Sequence, residues 1–375
     1  MTDKKKLAFV GNSSMTMQNF RMGLMKELAQ NPDYEVTVIA PQDNDISELR
    51  ANNIRFIPVE MDCKGMNPFT DIHLMQQLRR IYRKEKFDFI FHYTIKPVIY
   101  GSWAARRARI PQISVITGLG YTFITKGWIN KLVIRLYRSA LKSAKEVWFL
   151  NQEDKTMFIE KEIVAAQKTR ILNGEGVNLK QYSPRQAPKG KNFNFLYVGR
   201  VLWDKGVGEY VEAARVVKKQ YPSVCFKMLG PLGANNPASI TQEQVEKWVH
   251  AGIIKYLGET QNVIPFMADA SCIVLPSYRE GISRVLLEAA AMEKPIITSN
   301  VPGCREIVVD GENGFLCEAQ NTSSLIACMM HMLSLSQDER QEFGKKGRER
   351  VLERFDEQST IEVYKEKLKD IFFDK

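Results

Sequence analysis

The fold of the second half of the chain follows from one stretch, Phe193-Asn-Phe-Leu-Tyr-Val-Gly-Arg-Val-Leu-Trp-Asp-Lys-Gly206. Its first six residues are mostly aromatic or aliphatic, which predicts a short buried strand that ends at Gly199-Arg200. Four similar runs follow, separated by helical patterns: Val224–Leu229, Ile253–Leu257, Ala270–Leu275 and Pro295–Ser299. Short strands that alternate with helices are typical of a parallel sheet covered by helices on both faces.

The first half repeats this alternation. Its predicted strands are Leu7–Val10, Glu35–Ala40, Ile54–Val59, Phe87–Tyr93 and Gln112–Thr117, and its helical patterns include Gln18–Ala29, Asp71–Lys84 and Gly101–Ala108. A polar stretch with two prolines, Tyr182–Lys191, separates the halves. Because 375 residues exceed what one hydrophobic core usually serves, two domains are expected. We therefore predict an α/β chain of two doubly wound, Rossmann-like parallel-sheet domains, residues 1–185 and 186–355, facing across a cleft.

The composition excludes several classes of protein. With 44% hydrophobic and 26% charged residues, the chain is neither disordered nor collagenous. No run of about 18 apolar residues is present, which argues against a membrane span. The six cysteines form no close-set pair, and Leu7–Val10 is too short for the apolar part of an export signal. These features predict a cytoplasmic protein.

The net charge of +10 is confined to the first half. Residues 1–185 carry 29 basic and 18 acidic residues, whereas residues 186–375 carry 24 and 25. Between Arg79 and Lys145 there are 15 basic residues and two acidic ones. A basic surface restricted to one domain indicates an anionic partner, either nucleic acid or an anionic membrane.

Charged side chains follow the predicted strands of the second half. Arg200 and Lys205 come after the first of these strands, where ligands of open α/β sheets bind, and both can hold a phosphate. The stretch Leu275–Glu288 leads from a strand through a glycine loop into a helix, and Gly281 and Ile282 are expected to place backbone amides at its N-terminus, which favours a phosphate. Glu280 precedes that helix, and Glu288 lies about two turns along it, where a carboxylate could accept ribose hydroxyls.

Together these motifs resemble the retaining, nucleotide-sugar-dependent glycosyltransferases of family 4, which have the GT-B fold. The similarity extends to Gly174–Leu179, Tyr256–Glu259 and Val301–Phe315. Tyr93–Gly101 and Ile116–Tyr121 are similar to the branch that extends polyprenyl-diphosphate-linked sugars in bacterial capsule, O-antigen or glycoprotein glycan synthesis, which includes α-1,3-N-acetylgalactosaminyltransferases. The resemblance also implies that residues 356–375, which contain the amphipathic pattern Ser359–Phe373, form a helix that crosses back to the first domain.

The resemblance implies a UDP-sugar donor and roles for individual residues. Glu280, Arg200 and Lys205 would be catalytic. The donor would be held by Gly11, Gly199, Gly258, Gly281, Ile282, Ser283 and Glu288, and the acceptor by Lys96, Gly118 and Gly120. No cofactor is implied, and because the four histidines are scattered, the cations would take the usual place of a metal.

Three features depart from the family pattern or leave a choice open. Thr117-Gly118 stands where many relatives have a histidine that contacts the donor sugar. Arg284 adds a cation of unassigned role after the Glu280-Gly281 pair. His92 ends a predicted strand, and a structural role is favoured over that of a catalytic base because a retaining transferase of this type needs no separate base.

The stretch Trp128–Lys142 predicts an amphipathic helix. Its cations fall into one stripe, formed by Lys131, Arg135, Arg138 and Lys142, opposite an apolar side formed by Ile129, Leu132, Val133, Leu136 and Ala140. The apolar side is expected to pack on the first domain while the stripe faces lipid headgroups. This predicts a peripheral protein on the inner face of the cytoplasmic membrane.

Two other functions were weighed. A UDP-sugar epimerase can share the GT-B fold and the donor site, but the pairing of Glu280 and Glu288 with Arg200 and Lys205 matches the transferases better. A nucleic-acid-binding protein would explain the basic first half, but no zinc, helix-turn-helix or aromatic RNA-binding motif is present. No nucleic-acid partner is therefore expected.

Overall fold

The computed structural model describes residues 4–62, 67–119, 127–185, 192–233, 236 and 238–373. The chain forms two compact units. The first consists of Met1–Glu175 together with Glu357–Lys375, and the second is the continuous segment Gly176–Asp356.

The described part of the first unit contains a parallel sheet whose strands lie in the order β3-β2-β1-β4-β5-β6-β7. These strands are β1 (Lys5–Val10), β2 (Tyr34–Ala40), β3 (Arg55–Pro58), β4 (Phe89–Tyr93), β5 (Gln112–Ile116), β6 (Glu146–Phe149) and β7 (Thr169–Ile171). Its helices are α1 (Ser14–Gln30), α2 (Ser47–Ala51), α3 (Pro68–Glu85), α4 (Ser102–Ala108), α5 (Trp128–Leu141) and α6 (Gln152–Glu160). Strands β4 and β5 are buried throughout and β1 is buried from its third residue onward, as expected for a sheet covered on both faces.

The second unit repeats this plan with the strand order β10-β9-β8-β11-β12-β13. The strands are β8 (Asn194–Val198), β9 (Cys225–Leu229), β10 (Lys255–Tyr256), β11 (Cys272–Leu275), β12 (Ile296–Ser299) and β13 (Gly314–Cys317). The helices are α7 (Val207–Gln220), α8 (Gln242–His250), α9 (Ile264–Asp269), α10 (Arg284–Ala291), α11 (Thr322–Ser334) and α12 (Gln337–Arg354). Two doubly wound, Rossmann-like domains are thus confirmed.

The boundary between the units lies earlier than the sequence predicts. Residues 176–185 belong to the second unit and not to the first. The Val177 amide donates to the carbonyl of Phe355 at 2.9 Å, and Tyr182 is buried in the second core. The prolines of Tyr182–Lys191 suggested the later boundary, but the segment before them is already held by these contacts.

The last helix of the described chain, α13 (Glu357–Phe372), belongs to the first unit. Tyr364 on this helix is fully buried, and its ring lies 5.1 Å from the ring of Phe91 and 4.9 Å from that of Trp148. The Tyr93 hydroxyl donates to the Tyr364 hydroxyl at 3.0 Å. A segment distant in sequence therefore completes the core around β4 and β6.

None of the helices among the described residues combines the length and the apolar character needed to cross a bilayer.

Candidate active site

The candidate site lies at the switch point of the second sheet. Strands β8 and β11 are neighbours there, and Ile273 pairs with Leu196. The chain continues from β8 to β9 on one side and from β11 to β12 on the other, so the loops after β8 and β11 diverge and leave a crevice. The loop after β8 carries Arg200 and Lys205, and the loop after β11 carries Glu280.

Lys205 and Glu280 form an ion pair in this crevice. Lys205 Nζ lies 2.6 Å from Glu280 Oε1, and each side chain is only 16% exposed. The Ser277 hydroxyl donates to the same carboxylate oxygen at 2.8 Å. Two donors therefore fix the Glu280 carboxylate, and the structure brings two of the three predicted catalytic residues together. Sequence analysis did not single out Ser277.

The two loops are held against each other by their backbones. The Tyr278 amide donates to the carbonyl of Asp204 at 3.0 Å. Gly206 has a φ of +72°, and a Cβ there would lie 2.1 Å from the carbonyl oxygen of Pro276. Only glycine fits this close approach, so the sequence of the first loop determines how near Lys205 comes to Glu280.

Helix α10 begins later than the sequence predicts. Arg284 is its first residue and Ser283 its N-cap, so Gly281 and Ile282 lie in the loop before the helix and do not contribute amides of its first turn. The Ser283 amide is already bonded to the carbonyl of Gly303 at 2.9 Å. The expectation that Gly281 and Ile282 form the helix N-terminus was therefore wrong, because the turn continues to Ser283.

Glu288 is buried with two partners. Its side chain is 7% exposed, and its Oε1 accepts from Arg284 Nε at 2.7 Å. The Tyr182 hydroxyl also hydrogen-bonds to Glu288. Burial raises the pKa of the Glu288 carboxyl, although Arg284 and Tyr182 act in the opposite direction. Glu288 is therefore not a surface residue. Its partner Arg284 lies four residues earlier on the same helix, a spacing that could have indicated this ion pair from the sequence.

Arg200 is exposed at the rim of the crevice. Its carbonyl accepts from the Tyr197 hydroxyl at 2.7 Å. Burial raises the pKa of the Tyr197 hydroxyl. The charges of Glu280 and Arg200 also influence this pKa, so both residues lie near Tyr197. Gly199 follows β8 directly, where its amide donates to Leu229.

Gly258 follows β10, which lies two strands from β8 in the sheet. Its carbonyl accepts from the Gly230 amide at 2.8 Å. Gly258 has a φ of +79°, and a Cβ there would meet no other atom within 4 Å. The conformation, and not the space, therefore favours glycine at this position.

In the first unit, Gly11 follows β1. Its amide donates to the carbonyl of Ile39 at 3.0 Å, and a Cβ at Gly11 would lie 2.5 Å from Met17 Sδ. The missing side chain thus makes room for Met17. A side chain at Gly11 would therefore have to displace the flexible side chain of Met17.

Lys96 follows β4 and is not a solvated lysine. Its Nζ lies 2.7 Å from Asp71 Oδ1, and the two side chains are 12% and 10% exposed. The Tyr100 hydroxyl donates to the other oxygen of Asp71 at 2.8 Å. Of the other two predicted acceptor residues, Gly118 follows β5, and Gly120 lies outside the described residues.

His92 is fully buried in β4, as its structural interpretation predicts. Its Nε2 lies 2.9 Å from the Tyr82 hydroxyl and its Nδ1 lies 3.1 Å from Gln112 Oε1. Burial lowers the pKa of His92 to about 4, while the bond to Gln112 acts to raise it. The neutral ring is therefore a hydrogen-bonded part of the core.

The four cations of the predicted stripe do not all face solvent freely. Lys131, Arg135 and Lys142 are exposed. Arg138 instead donates to the carbonyls of Glu162 at 2.9 Å and Lys161 at 2.6 Å. Its guanidinium thus holds the turn after α6, a role that helical periodicity does not reveal.

The apolar side of α5 also differs from the prediction. Val133, Tyr137, Ala140 and Leu141 are the buried residues. Leu132 is 44% exposed, beside a 73% exposed Trp128. Leu132 was therefore wrongly assigned to the packed side, and two large apolar side chains accompany the exposed cations.

An acidic pair that sequence analysis overlooked has Asp-x-Asp spacing, Asp43 and Asp45. Asp43 accepts from the Ser14 hydroxyl at 2.7 Å and from the Met15 amide at 3.0 Å, and Asp45 accepts from Ser47. Burial alone would raise the pKa of Asp43, but hydrogen bonds outweigh it and lower the pKa. Both carboxylates thus cap local structure, and the described chain contains no group of three or more potential metal-binding residues.

Comparisons with known proteins agree with this geometry. A family model described as glycosyl transferase 4-like matches residues 6–151, and one described as glycosyl transferases group 1 matches residues 180–350. The chain is 28% identical over 337 residues to the N,N'-diacetylbacillosaminyl-diphospho-undecaprenol alpha-1,3-N-acetylgalactosaminyltransferase of Campylobacter jejuni, covering 85% of this chain and 87% of that protein. It is 26% identical to the UDP-Gal:alpha-D-GlcNAc-diphosphoundecaprenol alpha-1,3-galactosyltransferase of Escherichia coli, with 82% of each chain covered.

A solved structure supports the fold across both units. The Anabaena protein HepE, crystallised in complex with UDP and glucose, superimposes with a TM-score of 0.78 at 18% identity, covering 97% of this chain and 99% of that one. The two family models lie one in each half of the chain. Together with the two Rossmann-like domains and the loops at the second switch point, these findings show that the chain is a glycosyltransferase with the GT-B fold.

Proposed function

We propose that this enzyme moves an N-acetylhexosamine such as N-acetylgalactosamine from a UDP-sugar to a polyprenyl-diphosphate-linked saccharide, with retention, in bacterial surface-glycan synthesis. The observation that carries the proposal is the Lys205–Glu280 pair, 2.6 Å apart at the switch point of the second sheet. The acceptor class is supported by the relatives from C. jejuni and E. coli, whose names specify undecaprenol-linked diphospho sugars. A UDP donor is supported by the UDP complex of HepE.

The cations of the site suit departure of a nucleoside diphosphate. When the bond between the anomeric carbon and the diphosphate oxygen breaks, negative charge grows on that oxygen. Arg200 at the rim and Lys205 in the crevice would stabilise this charge, because fixed cations act strongly on charge that develops in a transition state. The acceptor hydroxyl would form the new bond to the anomeric carbon and give its proton to the departing diphosphate, so no separate protein base is required.

The two glutamates would hold opposite parts of the donor. Glu280, fixed by Lys205 and Ser277, would accept hydrogen bonds from sugar hydroxyls and face the positive charge that develops on the ring. Glu288 is held by Arg284 through Oε1 and would use its other oxygen for the ribose hydroxyls. A ribose contact is made in the ground and transition states alike, so it serves binding more than rate.

The first unit would meet the membrane that carries the acceptor. Lys131, Arg135 and Lys142 are exposed on α5, and Trp128 and Leu132 are exposed beside them. Cations with neighbouring large apolar side chains suit an interfacial helix that rests on anionic headgroups. We therefore place the enzyme, as part of the proposal, on the inner face of the cytoplasmic membrane.

The direct test is a screen of UDP- and GDP-sugars against a short polyprenyl-diphosphate-linked amino sugar. Released nucleotide and product mass identify the donor, and the anomeric coupling constant of the product reports retention. Transfer from UDP-N-acetylhexosamine with an α-anomeric product is the expected result. Release of UDP without any acceptor would instead favour an epimerase or hydrolase, and inversion of the anomeric centre would contradict the proposed chemistry.

The same assay tests whether a metal is required. Since Arg200 and Lys205 would supply the positive charge, turnover is expected to persist in EDTA. Loss of turnover in EDTA that Mn²⁺ or Mg²⁺ restores would show that these side chains do not replace a metal.

A further inference from the structure

A cavity of about 680 Å³ lies between α3, α4 and α5 of the first unit. This volume is in the range of small-molecule binding sites. It is lined by Ile72, Met75, Tyr100, Trp103, Arg106, Arg107 and Ser139. None of these residues was predicted to bind donor or acceptor, and we refer to this cavity as the α4 groove.

The walls of the α4 groove are largely apolar. The rings of Tyr100 and Trp103 meet edge to face, with centroids 5.6 Å apart. The Trp103 indole N–H donates to Ser139 at 3.3 Å, so the polar edge of this ring is satisfied within the protein. Ile72 is 49% exposed and Met75 adds a flexible thioether, which adapts to an irregular chain. These walls suit branched or unsaturated hydrocarbon.

Two exposed cations stand in the same groove. Arg106 and Arg107 have no carboxylate partner within the described residues, and Arg107 Nη1 contacts Met75 Sδ at 4.0 Å. Asp71, which binds Tyr100 of the groove, is itself paired with Lys96 at 2.7 Å. Positive charge in the groove is therefore available to a ligand, whereas Lys96 is already engaged.

We infer that the α4 groove binds the polyprenyl diphosphate of the acceptor, with the first isoprene units on the aromatic wall and the diphosphate at Arg106 and Arg107. A groove that is both apolar and cationic matches a ligand with both properties, and arginine grips phosphate oxygens in pairs. The inference rests on the proposed lipid-linked acceptor and assigns its diphosphate to the arginines of α4 and not to Lys96, one of the predicted acceptor-binding residues.

Calorimetric titration of the full-length enzyme with farnesyl diphosphate tests this inference. The double substitution Arg106→Gln and Arg107→Gln should weaken binding at least about tenfold, since each lost charged hydrogen bond is worth that much. Ile72→Asp should weaken it similarly by placing a charge on the apolar wall. Inorganic diphosphate, which has no hydrocarbon, should bind more weakly than farnesyl diphosphate.

Matched controls exclude general effects of charge or of a surface aspartate. Arg83→Gln with Lys84→Gln removes two exposed cations at the end of α3, and Leu352→Asp alters a side chain of the same 49% exposure in the second unit. Both controls should bind farnesyl diphosphate within about twofold of wild type. Circular dichroism confirms folding of each variant.

The outcomes separate this inference from the proposed function. If the groove variants bind farnesyl diphosphate as tightly as the wild type, the inference is overturned. If they also lose binding to phosphatidylglycerol vesicles, the groove is a membrane contact and not a diphosphate site. If the wild type glycosylates a polyprenyl-linked acceptor and the groove variants keep its KM, the function stands and the groove fails. If the groove variants lose farnesyl diphosphate but no polyprenyl acceptor is glycosylated, the groove stands and the function fails.

Discussion

At the scale of single residues, the ion pair between Lys205 and Glu280 is the feature that most constrains the chemistry. Both groups are largely shielded from water. Charges in such a shielded environment interact more strongly than charges at the surface. An ordinary partly buried ion pair would serve stability, and one such pair exists in the same unit between Lys227 and Asp269 at 2.7 Å. The two ion pairs have similar distances, but only the Lys205–Glu280 pair lies in the candidate site. Variants of the Lys227–Asp269 pair can therefore separate an effect on stability from an effect on turnover.

Removal of the charged side chains of the crevice should reduce turnover. Glu280→Ala, Arg200→Ala and Lys205→Ala should each lower kcat at least about a hundredfold, because under the proposed mechanism each would remove a contact to charge that develops during transfer. The measurement is released UDP under saturating substrates. A correctly folded Glu280→Ala enzyme with near wild-type kcat would show that this crevice is not the reactive site.

Two further variants calibrate this result. Lys227→Ala breaks the comparison pair, whose side chains are 20% exposed, and should lower the melting temperature while leaving kcat of the folded enzyme unchanged. Glu288→Ala should raise KM for the donor more than it lowers kcat, because a ribose contact is present before and during the reaction. An equal loss of kcat in Lys227→Ala would mean that destabilisation alone explains the effect of Lys205→Ala.

His92 gives a prediction for pH. Its pKa is lowered by burial from 6.5 to about 4, so the folded protein resists protonation while the unfolded chain accepts it. The stabilising effect of the neutral ring is therefore complete above pH 6.5 and is lost as the pH falls towards 4. Over this window the wild type should lose about 3 kcal/mol more unfolding free energy than His92→Gln. Denaturant titrations between these pH values measure it, and parallel losses in both proteins would contradict it.

At the scale of elements, long and strongly patterned segments could be predicted from sequence. Strands β8 and β11 were found because aromatic and aliphatic residues end abruptly at glycine or proline. Strands β6, β7 and β13 were missed, since Glu146, Arg170 and Gly314 leave no more than three consecutive apolar residues within each of them. Helix α13 was identified from its apolar spacing, which reflects the face that it buries.

The candidate site, too, could be predicted from the sequence only in part. Loop residues that carry the charges could be found from sequence, because positions after parallel strands meet at one edge. Contacts such as Lys96 with Asp71, 25 residues apart, or Arg138 with the carbonyls after α6, leave no local signal. The partner of Arg284 was the exception, since Glu288 lies one helical turn further along.

The exposed cations of helix α5 allow a direct test of membrane binding. The triple substitution of Lys131, Arg135 and Lys142 by Gln should abolish sedimentation with phosphatidylglycerol vesicles at low salt, because each cation near an anionic surface contributes about 1 kcal/mol. Affinity for the UDP-sugar should not change. Wild-type sedimentation of the triple variant would exclude α5 as the membrane contact.

Two controls accompany this test. Lys219, Lys345 and Lys346 are exposed in the second unit, and their replacement by Gln removes the same charge without altering α5. Arg138→Gln should lower stability and leave vesicle binding near wild type, because its guanidinium is bound to two carbonyls. Equal loss of sedimentation in the control triple variant would indicate attraction by net charge alone.

At the scale of the whole molecule, the first unit depends on two separate stretches of chain. Tyr364 is central to this dependence, since it packs between Phe91 and Trp148 and is fully buried. Tyr364→Ala should cost about 3–5 kcal/mol, as truncation of a buried aromatic does, whereas Tyr364→Phe should cost about 1 kcal/mol for one hydrogen bond. Thermal unfolding measures both. Phe373→Ala, at a 52% exposed position, is the control and should leave the melting temperature unchanged.

The return of α13 to the first unit also has a consequence for the order of events on the ribosome. Residues up to Glu175 emerge early, but Glu357 follows only after the whole second unit, which at about 5–20 residues per second is a delay of roughly 10–40 s. During this time the aromatic surface around Phe91 and Trp148 lacks its cover, while the continuous second unit can already complete its own core. A nascent chain stalled before Glu357 should therefore present a folded second unit beside a first unit that chaperones and proteases still recognise.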